Sequence, residues 1–101
     1  MKYNLANPTL ILFHAEWCGH CLRFMPIFDK FTEKTNNKKL NVIKFNADVD
    51  KAYIKSFNVE GFPTLLLHDP KTKRFINYTG DRSMNDLVKF VNESTNIDVT
   101  N

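Results

Sequence analysis

The first clear pattern along the chain is four consecutive apolar residues, Leu10-Ile11-Leu12-Phe13. A run with no polar alternation predicts a strand buried on both faces, as in a parallel sheet with helices on each side. From about Cys18 to Thr35 the period changes. Phe24, Phe28 and Phe31 recur at helical spacing and Met25 and Ile27 widen the stripe, so a helix is expected. Pro26 lies inside it and should bend it, because proline lacks a backbone donor and crowds the preceding turn. After the polar loop Asn36-Asn37-Lys38-Lys39, residues Asn41 to Asn46 predict a second strand and Lys51 to Phe57 a short helix, ended before Gly61. Thr64 to His68 predict a third strand, Asp69-Pro70-Lys71-Thr72 a hairpin turn, and Arg74 to Tyr78 a fourth strand. Ser83, with Asp86 three residues on, caps a last helix whose apolar stripe is Met84, Leu87, Val88 and Val91. Residues after Ser94 are expected to fray.

The order is therefore β-α-β-α-β-β-α, an α/β fold. The first β-α-β unit implies a right-handed crossover between parallel strands, and the late hairpin adds antiparallel partners. A mixed sheet of about four strands, covered by helices on both faces, is expected. At 101 residues, residues 1–101 form one domain, long enough to build a core without disulfide staples.

Charge narrows the function classes. The formal net charge is +3, but the basic residues are scattered, and the densest group, Lys71, Lys73 and Arg74, reads as a solvated turn. Nothing resembles a basic nucleic-acid-binding face, so no nucleic-acid partner is expected. No stretch reaches the roughly 18–20 apolar residues of a membrane span. The N-terminal residues do not form a signal-peptide core, and Asp98-Val99-Thr100-Asn101 is no retention signal. On those grounds a cytoplasmic location is favoured, with an oxidising lumen as the alternative.

Both cysteines of the chain lie in Trp17-Cys18-Gly19-His20-Cys21. One C-x-x-C beside a β-α-β pattern reads as redox chemistry rather than stapling. A thiol attacks a disulfide only as the thiolate. Cys18 follows a strand and opens a helix, where unpaired N–H groups and the helix dipole favour negative charge. His20, when protonated, adds a cation near the sulfur. Cys21 falls one helical turn later, in reach to close a disulfide or attack a mixed one. Trp17 offers a flat apolar edge to a substrate peptide. The competing readings are weaker. A structural zinc site needs four ligands, and only the two cysteines with one of His14, His20 or His68 are available. Haem attachment needs His after the second Cys, where this chain has Leu22. No metal and no organic cofactor is expected.

These residues resemble the thioredoxin superfamily, and the Trp-Cys-Gly-His-Cys string resembles the catalytic domains of protein disulfide isomerases. The resemblance covers roughly Pro8 to Ser94. It implies a thioredoxin-like fold in a minimal version, with Pro26 at the family's helix kink and Gly61-Phe62-Pro63-Thr64 as its cis-proline loop. Phe62 and Pro63 would then face the cysteines and, with Trp17 and Gly80, line a peptide groove. Tyr78 to Arg82 is similar to the loop before the last helix, where Arg82 would modulate the cysteines; the bland alternative is a solvated arginine.

Two departures from the family pattern stand out. Only seventeen residues precede Cys18, too few for the strand and helix that usually open the fold, so Asn41–Asn46 should lie at a sheet edge. That edge could be covered by N-terminal residues or by a second copy of the chain. The family's buried carboxylate before the active site is replaced by Leu12, leaving its usual lysine neighbour, Lys44, without a partner. His14, on the same strand face as Leu12, is either a polar substitute for an aromatic residue or a stand-in proton acceptor. The resulting expectation is a thiol–disulfide oxidoreductase acting on cysteine-containing proteins, leaning toward oxidation or isomerisation and coupled to an unidentified redox partner. A general disulfide reductase and a binding module with incidental cysteines are the alternatives.

Overall fold

The apolar run at residues 10–13 becomes the centre of β1 (Thr9–His14), an interior strand whose four central residues are buried. The computed structural model describes residues 5–80 and 83–100. On one side of β1 lies β2 (Asn41–Asn46), parallel, with Leu12 opposite Lys44. On the other lies β3 (Thr64–Asp69), antiparallel, followed by β4 (Arg74–Asn77). The sheet order is β2-β1-β3-β4. Three helices, α1 (Gly19–Lys34), α2 (Lys51–Ser56) and α3 (Met84–Thr95), complete the expected β-α-β-α-β-β-α order.

Alternation along β1 divides its side chains between two layers. Leu10 and Leu12 join Leu65 and Leu67 of β3 against Phe24, Phe28 and Phe31 of α1 and Leu87 and Val91 of α3. α1 passes through Pro26 as one continuous element. Phe13 points the other way, stacked on Phe45 at 5.5 Å and tilted against Phe57 at 5.2 Å. Tyr53 of α2 covers Phe45 at 4.5 Å. Helices therefore cover both faces.

Among the described residues β2 lies at an edge of the sheet, where the sequence placed it. Asn41 N–H donates to Pro8 O and Ala47 N–H to His14 O, at 2.9 and 2.8 Å. In parallel geometry the alternate residues Val42, Lys44 and Asn46 then turn their peptide groups outward. The exit of this edge is closed from within the chain. Asp50 Oδ2 accepts the Asn46 N–H at 2.8 Å, while Asn46 O accepts from Asp50 N–H at 2.7 Å.

The C-terminus departs from expectation. Ser83 Oγ accepts the Asp86 N–H at 3.2 Å and opens α3, but the chain does not fray after Ser94. Asn96, at φ 57°, turns the chain back after Thr95. Val99 then inserts, fully buried, into the α1–α3 core. Its N–H donates to Asn92 Oδ1 at 3.0 Å and its carbonyl accepts from Asn36 N–H at 2.6 Å. The buried side chain and these bonds outweigh the entropy of a free tail.

Candidate active site

β1 delivers the chain to the reactive segment. Cys18 N–H bonds back to Ala15 O at 3.2 Å, and Cys18 itself is extended, at φ −94° and ψ 115°. That is the backbone of a helix N-cap, and the sulfur performs the cap: Cys18 Sγ accepts the Cys21 N–H at 3.2 Å. The helix thus points a first-turn donor at the sulfur, an arrangement that favours the thiolate over the thiol. In the thiol form Cys18 donates to Phe62 O at 3.4 Å, holding the two loops together. The two cysteines lie close together. They differ in access: Cys18 keeps 9% of its surface exposed and Cys21 only 1%.

The cysteines share a small apolar shelf with Ala15, against which Ala47 and Phe62 pack. It is distinct from the main core. The Phe62–Pro63 peptide is cis. Trp17 stands above the shelf, 67% exposed, edge-on to Phe62 at 5.7 Å. Its indole N–H donates to Asp48 Oδ1 at 3.3 Å, which fixes the ring while leaving its face open. Ala47 also borders an open groove of about 600 Å³ that runs along α2 past Lys51, Ile54, Val59 and Glu60.

The remaining candidates are more dispersed. His20 is exposed, and its Nδ1 lies 3.1 Å from Arg23 Nη2. Half-buried His14 ends β1, its carbonyl bonded to Ala47; its pKa is lowered by burial first and by Lys44 next, against raising contributions from Glu16, Asp50 and Asp29. A neutral imidazole is therefore favoured there. Leu12 is fully buried in the main core. Lys44, with Leu12 in place of the family's buried acid, turns instead to Asp29 of α1, at 3.3 Å in an exposed ion pair. Gly80 lies on a second groove with Tyr78, Asp86, Lys89 and Phe90. There a β-carbon on Gly80 would come within 3.1 Å of the Tyr78 ring. Arg82 falls outside the described residues. Among the described residues no group of three His, Cys, Asp or Glu side chains gathers to hold a metal, and no helix is long and apolar enough to cross a membrane.

Ala15, Ala47, Asp48 and Arg23 were not singled out from sequence. Arg23 carried a usable signal, since residues three apart on a helix are neighbours and it follows His20 at that interval. Ala47 and Asp48 carried none, because only the tertiary fold brings them to the cysteines.

The thioredoxin family profile matches residues 3–93. The chain belongs to the thioredoxin family. Among its relatives, protein disulfide-isomerase erp38 of Neurospora crassa is 36% identical over 93 residues, covering 90% of this chain and 25% of that protein. Protein disulfide-isomerase of Saccharomyces cerevisiae is 31% identical over 92 residues, covering 90% of this chain and 18% of that one. The chain thus spans about a quarter or less of the length of these curated relatives. The solution structure of the first thioredoxin domain of mouse protein disulfide-isomerase A4 superposes with a TM-score of 0.71 at 31% identity, covering 86% of this chain and 62% of that one. The J-Trx1 fragment of ERdj5 superposes at 0.82 with 22% identity, over 93% and 46%, and supports the fold. This thioredoxin-family domain is thus similar to a part of each of these protein disulfide-isomerases.

Proposed function

We propose that this thioredoxin-family domain exchanges disulfides with cysteine-containing protein substrates, with Cys18 as nucleophile and Cys21 as resolving thiol. The observation that carries the reading is the Cys18 sulfur itself: it caps α1, accepts the Cys21 N–H, and is the more exposed of the two. The Cys18 thiolate attacks one sulfur of a substrate disulfide, forming a mixed disulfide and releasing the other as a substrate thiolate. Cys21 then loses its proton and attacks Cys18 Sγ, closing the intramolecular disulfide and releasing the second substrate thiol. Run backwards, the same steps oxidise a substrate dithiol. The Phe62 carbonyl supports this order, because a thiolate cannot donate to it as the thiol does; ionisation frees that carbonyl for a substrate N–H. Trp17, Phe62 and Pro63 would hold the substrate strand, Gly80 would contact it from the second groove, and Arg82 would modulate the cysteines.

For direction, we favour oxidation and isomerisation over general reduction, because His20 between the cysteines is a side chain able to carry positive charge beside a thiolate and so stabilise the reduced form. A stabilised reduced form makes the disulfide a stronger oxidant. An unidentified redox partner would reset the pair.

Trapping tests the core of the proposal. Cys21→Ser incubated with a disulfide-bonded peptide should accumulate a mixed disulfide at Cys18, seen by mass spectrometry, and Cys18→Ser should not. Accumulation on Cys21 instead, or turnover that survives Cys18→Ser, would refute the assignment. Refolding of scrambled ribonuclease against insulin reduction then decides direction: a domain active only in the second is a reductase.

A further inference from the structure

Among the described residues, Arg23 is a cation placed against the two residues between the cysteines. Its Nη2 lies 3.1 Å from His20 Nδ1. A β-carbon built on Gly19 would lie 3.8 Å from its Nη1. The guanidinium therefore doubles back along the first turn of α1 and lies over both Gly19 and His20. Among the described residues it has no carboxylate partner, the sole ion pair there being Lys44–Asp29.

A guanidinium has five donors and no acceptor, so the His20 nitrogen facing it must accept. The imidazole then carries its proton on Nε2 and leaves Nδ1 bare. Asp48 near the cysteines is held by the Trp17 indole N–H.

We infer that Arg23 is a positioning residue for thiol–disulfide exchange: it fixes the tautomer of His20 and supplies the permanent positive charge at the first turn that favours the Cys18 thiolate. This rests on the proposed exchange activity and assigns part of the electrostatic work given to His20 to its neighbour one turn on. The guanidinium stays charged at any working pH, so this share does not wait on protonation of the imidazole.

The test uses glutathione. One glutathione disulfide oxidises the Cys18/Cys21 dithiol, two electrons and two protons passing to two glutathione thiols, and the equilibrium constant reports how strongly the reduced form is favoured. Arg23→Leu removes charge and donor, Arg23→Gln removes charge alone, and Arg23→Lys keeps the charge. Each substitution is on an exposed helix position, so folding should persist and is checked by circular dichroism. An exposed charge interaction is worth about a two- to fivefold change in equilibrium constant. Arg23→Leu and Arg23→Gln should shift the equilibrium toward the disulfide by that factor, about 9–21 mV at 29.6 mV per tenfold, and Arg23→Lys should stay near wild type. Nitrogen-15 spectra of the His20 ring should show a bare Nδ1 in wild type that loses its bias toward that tautomer in Arg23→Leu.

An unshifted equilibrium in Arg23→Leu, or a wild-type ring protonated at Nδ1, would overturn the inference. So would a shifted equilibrium with an unaltered ring, since Arg23 would then act without positioning His20. Wild type that fails to exchange with glutathione at all would refute the proposed activity, which keeps the two failures apart.

Discussion

Replacing Leu12 with glutamate tests how the resolving step obtains its base. Leu12 is fully buried, opposite Lys44 on β2 and Leu65 on β3. Burying a Leu side chain is worth about 2–3 kcal/mol, part of which the glutamate methylenes retain. Placing an imperfectly paired carboxyl there costs about 1–3 kcal/mol more. The nearest cation is Lys44, whose present ion pair with Asp29 is exposed and worth at most about 1 kcal/mol, so its release costs little. The net loss should be about 3–4 kcal/mol, lowering Tm by about 12–32 °C at the roughly 4–8 °C per kcal/mol of a domain this size. The domain should still fold, because such domains hold about 5–15 kcal/mol. Catalysis should move the other way. Cys21 is sealed from solvent, so its thiolate is disfavoured and a positioned base should accelerate resolution. Full general-base assistance is worth about 10²–10⁴-fold, and an unevolved carboxylate should reach no more than the low end. Stopped-flow resolution of a preformed Cys18 mixed disulfide, followed from pH 5 to 9, measures it. Wild type should accelerate steadily with pH, and Leu12→Glu should flatten that dependence near neutrality. An unchanged profile in the folded variant, with slower resolution in His14→Phe, would refute the missing-acid argument and make His14 the base.

The lowered pKa of His14 has a stability consequence of definite sign: its folded value lies below the ordinary 6.5, so the unfolded chain binds the proton first. Stability should be full above about pH 6.5 and fall as pH drops from there toward the folded value; urea midpoints of wild type should show the fall and His14→Gln should lack it. Val99→Ala should cost about 2 kcal/mol, measured by thermal melting, because it opens a cavity in the core rather than trimming a loose tail. His20→Pro should make the disulfide more reducing in glutathione titration, since no ring remains for Arg23 to hold and no imidazole to share its charge.

The elements most legible in the sequence were those whose signal is local. Leu10 to Phe13 reads as a buried strand because no polar residue interrupts it, and Phe24, Phe28 and Phe31 read as a helix because their spacing matches one face. The cysteine pair was legible through its motif and through the strand-to-helix junction. Val99 was not, because Ile97 and Val99 are separated by Asp98 and followed by polar residues; only contacts with Asn36, Asn92 and the α1–α3 core reveal their role. Lys44 was read by analogy as having lost the family's buried acid, and Asp29, fifteen residues earlier, could not be recognised as its present partner until α1 and β2 were packed together.

The reactive cysteines rest on a shelf of Ala15, Ala47 and Phe62, while the residues that hold the fold together form a separate cluster around Phe24, Phe28, Phe31 and Leu67. Substitutions far enough apart to share no partners add independently. Reactivity and robustness therefore draw on two different sets of residues in this molecule: an alteration at the shelf re-tunes the sulfur chemistry without opening the main core, and Leu12 is the core position where the two are expected to meet. A lineage carrying this domain can explore new redox settings one residue at a time without passing through an unfolded ancestor.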